Sequence, residues 1–156
     1  MKIQLTTKMP DIEALLMKEA DMVENETIRV LSRLGEECVN EARDRSSEES
    51  WNDQTGNLRS SIGYTVARNG DAIHTSQFPA VKDGSEGKRK GRAFALEVAK
   101  RLSADYGLVV VAGMPYASNV EDMDNKVVLA SAELLARGKL PTHLSELSRK
   151  LNRKSA

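Results

Sequence analysis

The sequence predicts an α+β fold: a long N-terminal helix packed on a small, mainly antiparallel sheet, with further helices. Three observations predict it. Apolar or small residues recur every three or four positions from Ile12 through Ala42, as on one stripe of a helix. Asn69-Gly70 stands between two alternating runs and is a strong hairpin signal, because both residues accept the positive φ of a tight primed turn. Leu108 to Ala112, "LVVVA", is a β-branched run that follows a helical pattern closed by Gly107.

Taken in order, "KIQLTT" (Lys2 to Thr7) alternates Ile3 and Leu5 with polar neighbours, as a short half-buried strand does. Pro10 and Asp11 punctuate the chain, and the helical stripe then runs through Leu16, Ala20, Val23, Leu31 and Leu34 to about Arg45. At 1.5 Å per residue that helix is on the order of 50 Å long. A small domain cannot cover such a length, so the helix either kinks near Gly35 or offers part of its stripe to another subunit. Ser46 to Gln54 has the composition of a polar loop around Trp51. Asp53 or Thr55 then caps a short turn in which Leu58 and Ile62 share a face at i and i+4, and Gly63 ends it. Tyr64 and Val66 open the hairpin, Ile73 and Thr75 continue it, and Pro79 closes its second strand.

Lys82 to Arg92, "KDGSEGKRKGR", holds five bases and two acids interspersed with glycines, and reads as a mobile basic loop. A helix from Ala93 follows, carrying Phe94, Leu96, Val98, Ala99 and Leu102. The Leu108 to Ala112 run has the pattern of a strand buried on both faces. "GMPYASNVEDMD" turns the chain, "NKVVL" (Asn125 to Leu129) adds a strand, and "ASAELLARG" is a helix ending at Gly138. Leu144, Leu147 and Leu151 mark one more short helix after Pro141, so residues 139–156 read as a C-terminal helix and tail. The whole chain, 1–156, has the length of a single domain.

Apolar residues make up 40% of the chain with only 4% aromatic, so the core must rest on Leu, Val, Ile, Ala and Met. Lys plus Arg equals Asp plus Glu at 23 each, which by itself argues for neither nucleic acid nor membrane. The distribution is uneven: residues 1–60 hold 13 acids and 8 bases, residues 61–156 hold 10 acids and 15 bases, a polarity suited to head-to-tail stacking of identical subunits. The single Cys38 allows no intrachain disulfide and no multi-Cys zinc site, and its helical position suits a buried small hydrophobe. No apolar run approaches the roughly 20 residues of a bilayer span, and the N-terminus lacks a signal-peptide h-region, so a soluble intracellular protein is expected.

Candidate chemistry is sparse. His74 and His143 lie on unrelated elements without partners at metal-ligand spacing. "GSEGKRKG" fails the Walker pattern, since only two residues separate Gly84 from Gly87 and Arg89 follows Lys88. Acidic neighbours such as Glu36 with Glu37 and Asp122 with Asp124 read as solvated faces. With no nucleophile-base pair or metal set, a hydrolase is disfavoured, and neither enzymatic activity nor a cofactor is expected. What remains is the set Lys82, Lys88, Arg89, Lys90 and Arg92, five cations that can neutralise phosphates without reading base sequence, or order on a protein partner. No aromatic residue interleaves them to stack on bases.

Two motifs, in the order of these elements, carry a resemblance. After the long helix come Thr55, Gly56, Leu58, Arg59, Ser61 and Ile62 in "TGNLRSSI", and after a later strand come Tyr116, Ala117, Val120 and Glu121 in "MPYASNVED". Over about residues 12–135 the chain resembles the minor tail, or tail-completion, proteins of long-tailed bacteriophages and prophages. It departs from their pattern at Asp122-Met123-Asp124, where they continue with an aromatic-Gly-Thr sequence. The resemblance implies an α+β subunit that forms a ring of six at the junction between head connector and tail tube, in the virion, after assembly in the host bacterial cytoplasm. No small-molecule substrate and no membrane partner are expected. On that reading "TGNLRSSI" is a fold-defining connector with Leu58 and Ile62 in the core and Arg59 free for an acidic neighbour. The second reading is a small DNA-associated factor that binds phosphates through the basic loop and the basic C-terminal tail.

Overall fold

The structure, a computed structural model, describes residues 8–44, 53–123 and 127–154. The expected strand at Lys2 to Thr7 and the loop around Trp51 lie outside the described residues. A long helix, a three-stranded antiparallel sheet and further helices make the fold α+β, as the sequence predicts.

Helix α1 spans Met9–Arg43. It begins at Met9 with Pro10 inside its first turn rather than before it, because the fixed φ of proline suits that turn, where no N–H partner is needed. It buries Val30, Leu31, Leu34, Cys38 and Ala42 against the sheet and the C-terminal helix. It runs through Gly35 as one element, and the glycine has a packing role: a Cβ there would lie 2.6 Å from the Tyr64 ring. None of residues 9–22 is buried, so the N-terminal turns of α1 extend beyond the core.

After the short helix α2 (Asn57–Ser60), strands β1 (Ile62–Arg68) and β2 (Asp71–Thr75) form the expected hairpin. Arg68 pairs with Asp71, and Asn69 and Gly70 sit at φ 50° and 90°, the left-handed values of a primed two-residue turn. Strand β3 (Gly107–Ala112) pairs antiparallel with the other side of β1, giving the order β2-β1-β3. The strand buried on both faces is therefore β1, from Ile62 to Ala67, and not β3 as its apolar run suggests. An edge strand of alternating burial results: Val109 and Val111 face one core, while Leu108 and Val110 pack partly buried against the other. Burial pushes the Tyr64 hydroxyl, on β1, up to about 12.

Helix α3 spans Ser85–Ala99 and covers the sheet face opposite α1. This corrects the mobile basic loop expected at 82–92. Its glycines do not break the helix: Gly87 and Gly91 continue at i+4 into Ala95 and Ala99 as one buried stripe of small residues. Close packing of that stripe overrides the low helix propensity of glycine.

After helix α4 (Ala117–Glu121), residues 127–129 do not add a strand. The Val128 and Leu129 N–H groups are instead taken by the Glu121 carboxylate. Helix α5 then runs unbroken over Ala130–Lys154, so no separate helix starts after Pro141. Gly138 is exposed and unencumbered, and residues on both sides of Pro141 are tied to α1, which holds the helix across the missing N–H. Among the described residues no helix is long and apolar enough to cross a membrane.

Candidate functional site

The "TGNLRSSI" stretch is a clamped connector between α1 and β1. The Asp53 carboxylate accepts the Arg59 N–H at 2.8 Å, and Thr55 Oγ1 accepts the Asn57 N–H at 3.3 Å, so both residues cap α2. Gly56 turns at φ 78°, and any Cβ there would overlap the Val81 carbonyl. Leu58 and Ile62 are 1% and 0% exposed and join the cluster that includes Leu34, Cys38 and Tyr64, as their spacing predicts. Ser60 Oγ accepts the Val81 N–H at 2.8 Å, and Ser61 Oγ donates to the Leu58 carbonyl at 2.8 Å.

Arg59 is not the free cation expected of it. Its guanidinium donates to the Arg43 carbonyl at the end of α1, where a helix leaves carbonyls unpaired and its dipole favours positive charge. Arg43 in turn donates to the Pro79 carbonyl at 2.9 Å. Burial, with the Arg59 charge nearby, pulls the Arg43 guanidinium below its ordinary value.

Helix α3 closes on the connector through its glycine face. The Gly87 N–H donates to Asn57 Oδ1 at 2.9 Å. A Cβ on Gly84, Gly87 or Gly91 would collide with Ser60, Asn57 or Ser61 respectively, and one on Gly113 would press on Gly91. The five cations divide accordingly. Lys82 reaches back to the Asp53 carbonyl at 2.7 Å, and Lys90 pairs with Glu86 at 2.8 Å one turn away. Lys88, Arg89 and Arg92 stay exposed, at positions i, i+1 and i+4 on one side of the helix next to its buried glycine stripe. The structure thus gathers three of the five on one surface and gives the other two local partners.

The second motif sits beside the first. Tyr116 is 39% exposed, and burial, followed by the charges of Asp53 and Glu86, raises its hydroxyl above the ordinary value. Ala117 is buried and Val120 packs on the core. Glu121 spans to the start of α5, accepting the N–H groups of Val128 at 3.1 Å, Leu129 at 2.9 Å and Ala130 at 2.9 Å. One carboxylate thereby satisfies three donors at a positive helix end.

Sequence spacing did not reveal how α5 is held. It lies antiparallel to α1: the Cys38 thiol lies 3.6 Å from the Ala132 carbonyl, Lys139 pairs with Glu37 at 2.7 Å, and Glu146 pairs with Arg33. His143 is 5% exposed between them. Arg33 can only donate, and it meets His143 Nδ1 at 2.8 Å, so the ring proton sits on Nε2, facing Glu37 at 3.5 Å. The hydrogen bond from Lys139 holds the Glu37 carboxyl below its usual range.

Beyond this clasp α1 and α5 leave an apolar groove of about 1080 Å³ floored by Leu108 and Val110, with Val23 and Leu31 on one wall and Leu144 and Leu151 on the other. Among the described residues no three His, Cys, Asp or Glu side chains are grouped to hold a metal ion. No family model matches the chain, and no curated protein and no solved structure matches it either.

Proposed function

We propose that the protein is a non-enzymatic structural component of a phage or prophage particle, a tail-completion or head-tail joining subunit that assembles into a ring between connector and tail tube. The observation that supports this reading is what the two motifs do in the fold. Asn57, Arg59, Ser60, Ser61 and Glu121 are all engaged in holding backbone, so the motifs serve as joints between elements. A rigid joint leaves two unlike outer surfaces for partners, the cationic side of α3 and the apolar groove beside α5. The test is to delete the gene from the genome that carries it and count joined particles by electron microscopy. Separate heads and tails, joined when purified protein is added, are the expected result, and joined particles without the protein would sink the proposal.

A second reading, a DNA-associated factor, draws on the exposed Lys88, Arg89 and Arg92 near the positive N-terminal half of α3. It requires DNA affinity in isolation that falls steeply with salt, and loss of those three cations should flatten the slope by about three.

A further inference from the structure

We infer that the groove between α1 and α5 is the docking site for the protruding N-terminal turns of α1 from a second copy of this chain. The inference rests on the self-assembly part of the reading above and supplies its contact.

Three properties of the protruding turns fit the groove. The first is apolar pattern. None of residues 9–22 is buried in its own subunit, Leu15, Leu16 and Met17 are 58%, 63% and 69% exposed, and Ile12, half-buried, Leu16 and Ala20 follow one another at i+4. Facing them would be Leu140, Leu144, Leu147 and Leu151, spaced 4, 3 and 4 along α5, the pattern of a helix seam awaiting a partner helix. Leu140 and Leu144 are 38% and 48% exposed.

The second is length. Residues 9–22 make a rod of about 21 Å, and the step from Leu140 to Leu151 is about 17 Å, so the overhang can lie along the whole leucine row. The third is charge. Residues 8–26 carry six acids and two bases, while α5 carries six bases and two acids. Within α5, Arg137 pairs with Glu133, Lys139 with Glu37, and Glu146 with Arg33, which leaves Arg149, Lys150 and Arg153 on the last turns of α5, flanking the leucine row rather than lining the groove. Asp11, Glu13, Glu19 and Asp21 of an incoming helix would be drawn toward that basic end of α5 by charge, while the leucines make the contact.

The contact joins one end of a subunit to a different surface of the next. It is heterologous, so it repeats around a ring when the rotation closes.

The full chain is tested for self-association by its mass in solution across concentration, starting from the 17.2 kDa monomer. Both Leu16→Asp and Leu144→Asp alter exposed positions, so each should keep the melting temperature and abolish the higher-mass species. Reversing Arg149, Lys150 and Arg153 to Glu should weaken association about tenfold, and reversing Glu13, Glu19 and Asp21 to Lys in the same chain should restore it. Under oxidation, chains carrying Leu16→Cys should link to chains carrying Leu144→Cys.

A chain that stays monomeric throughout overturns the contact. So does association without that link, although a ring-forming subunit then still stands. Loss of association on removing residues 2–7 alone would assign the groove to that segment and overturn the inference too. Should the link form while heads and tails join without the protein, the contact holds and the joining role falls.

Discussion

Gly87 donates its backbone N–H to the Asn57 side-chain carbonyl at 2.9 Å, and a single added carbon on Gly87 would overlap the Asn57 backbone. Helix α3 and the connector therefore touch main chain to main chain. Substituting Gly87 by Ala should cost about 2–3 kcal/mol through overpacking. Gly138→Ala, in an exposed stretch of α5 with nothing within 4 Å, should instead stabilise by about 0.5–1 kcal/mol. Urea denaturation of the two variants checks this, and effects of the same sign would remove the close-packing account of α3.

Leu58→Ala and Ile62→Ala should each destabilise by about 2–4 kcal/mol, since both side chains are fully buried where the connector meets α1. Thermal melts unchanged within error would contradict their place as anchors.

At the hairpin, Gly70→Val should lower the melting temperature far more than Asp71→Ala. The first places a β-branched residue at φ 90°, whereas Asp71 is exposed at the start of β2. Equal melting temperatures would mean that the turn tolerates a side chain at positive φ.

Changing Lys88, Arg89 and Arg92 together to Ser should leave the melting temperature nearly unchanged, because solvated charges add little to stability. Joining of heads to tails should fail all the same. A variant that folds and still yields joined particles in full number would leave this surface without the partner role.

Acid should loosen α5. The Glu37 carboxyl is held low by Lys139, so its folded value lies below the unfolded one of about 4.3. The stability it contributes is present above that unfolded value and is lost as pH falls through the folded value. Glu37→Gln should therefore be less stable than the parent at neutral pH and should lose less between neutral pH and about pH 3. Parallel stability curves for the two proteins across that range would show that Glu37 is not a source of acid sensitivity.

Much of the fold was legible because it rests on local rules. The stripe from Ile12 to Ala42, the Asn69-Gly70 turn and the Leu58-Ile62 pair all state their partners through spacing. The misreadings share a physical cause. At Gly87 and Gly91 the sequence shows low helix propensity, and only the surface that packs on them turns it into an advantage, although the i+4 run into Ala95 and Ala99 was a visible sign. Pro141 reads as a break until Glu37 and Arg33, a hundred residues away, are seen to hold the helix on both sides of it. Arg59 looks available for a partner because nothing local shows that the end of α1 returns beneath it.

The antiparallel seating of α5 on α1 sets an order of events during synthesis. Lys139 and Glu37 are 102 residues apart, and Arg33 and Glu146 are 113 apart, so α1 leaves the ribosome well before the helix that packs along it. At translation speeds of about 5–20 residues per second, α1 waits roughly 5–20 s before α5 can cover its part of the apolar stripe. The slow closure likewise postpones completion of the apolar groove, whose wall is incomplete until α5 has been made.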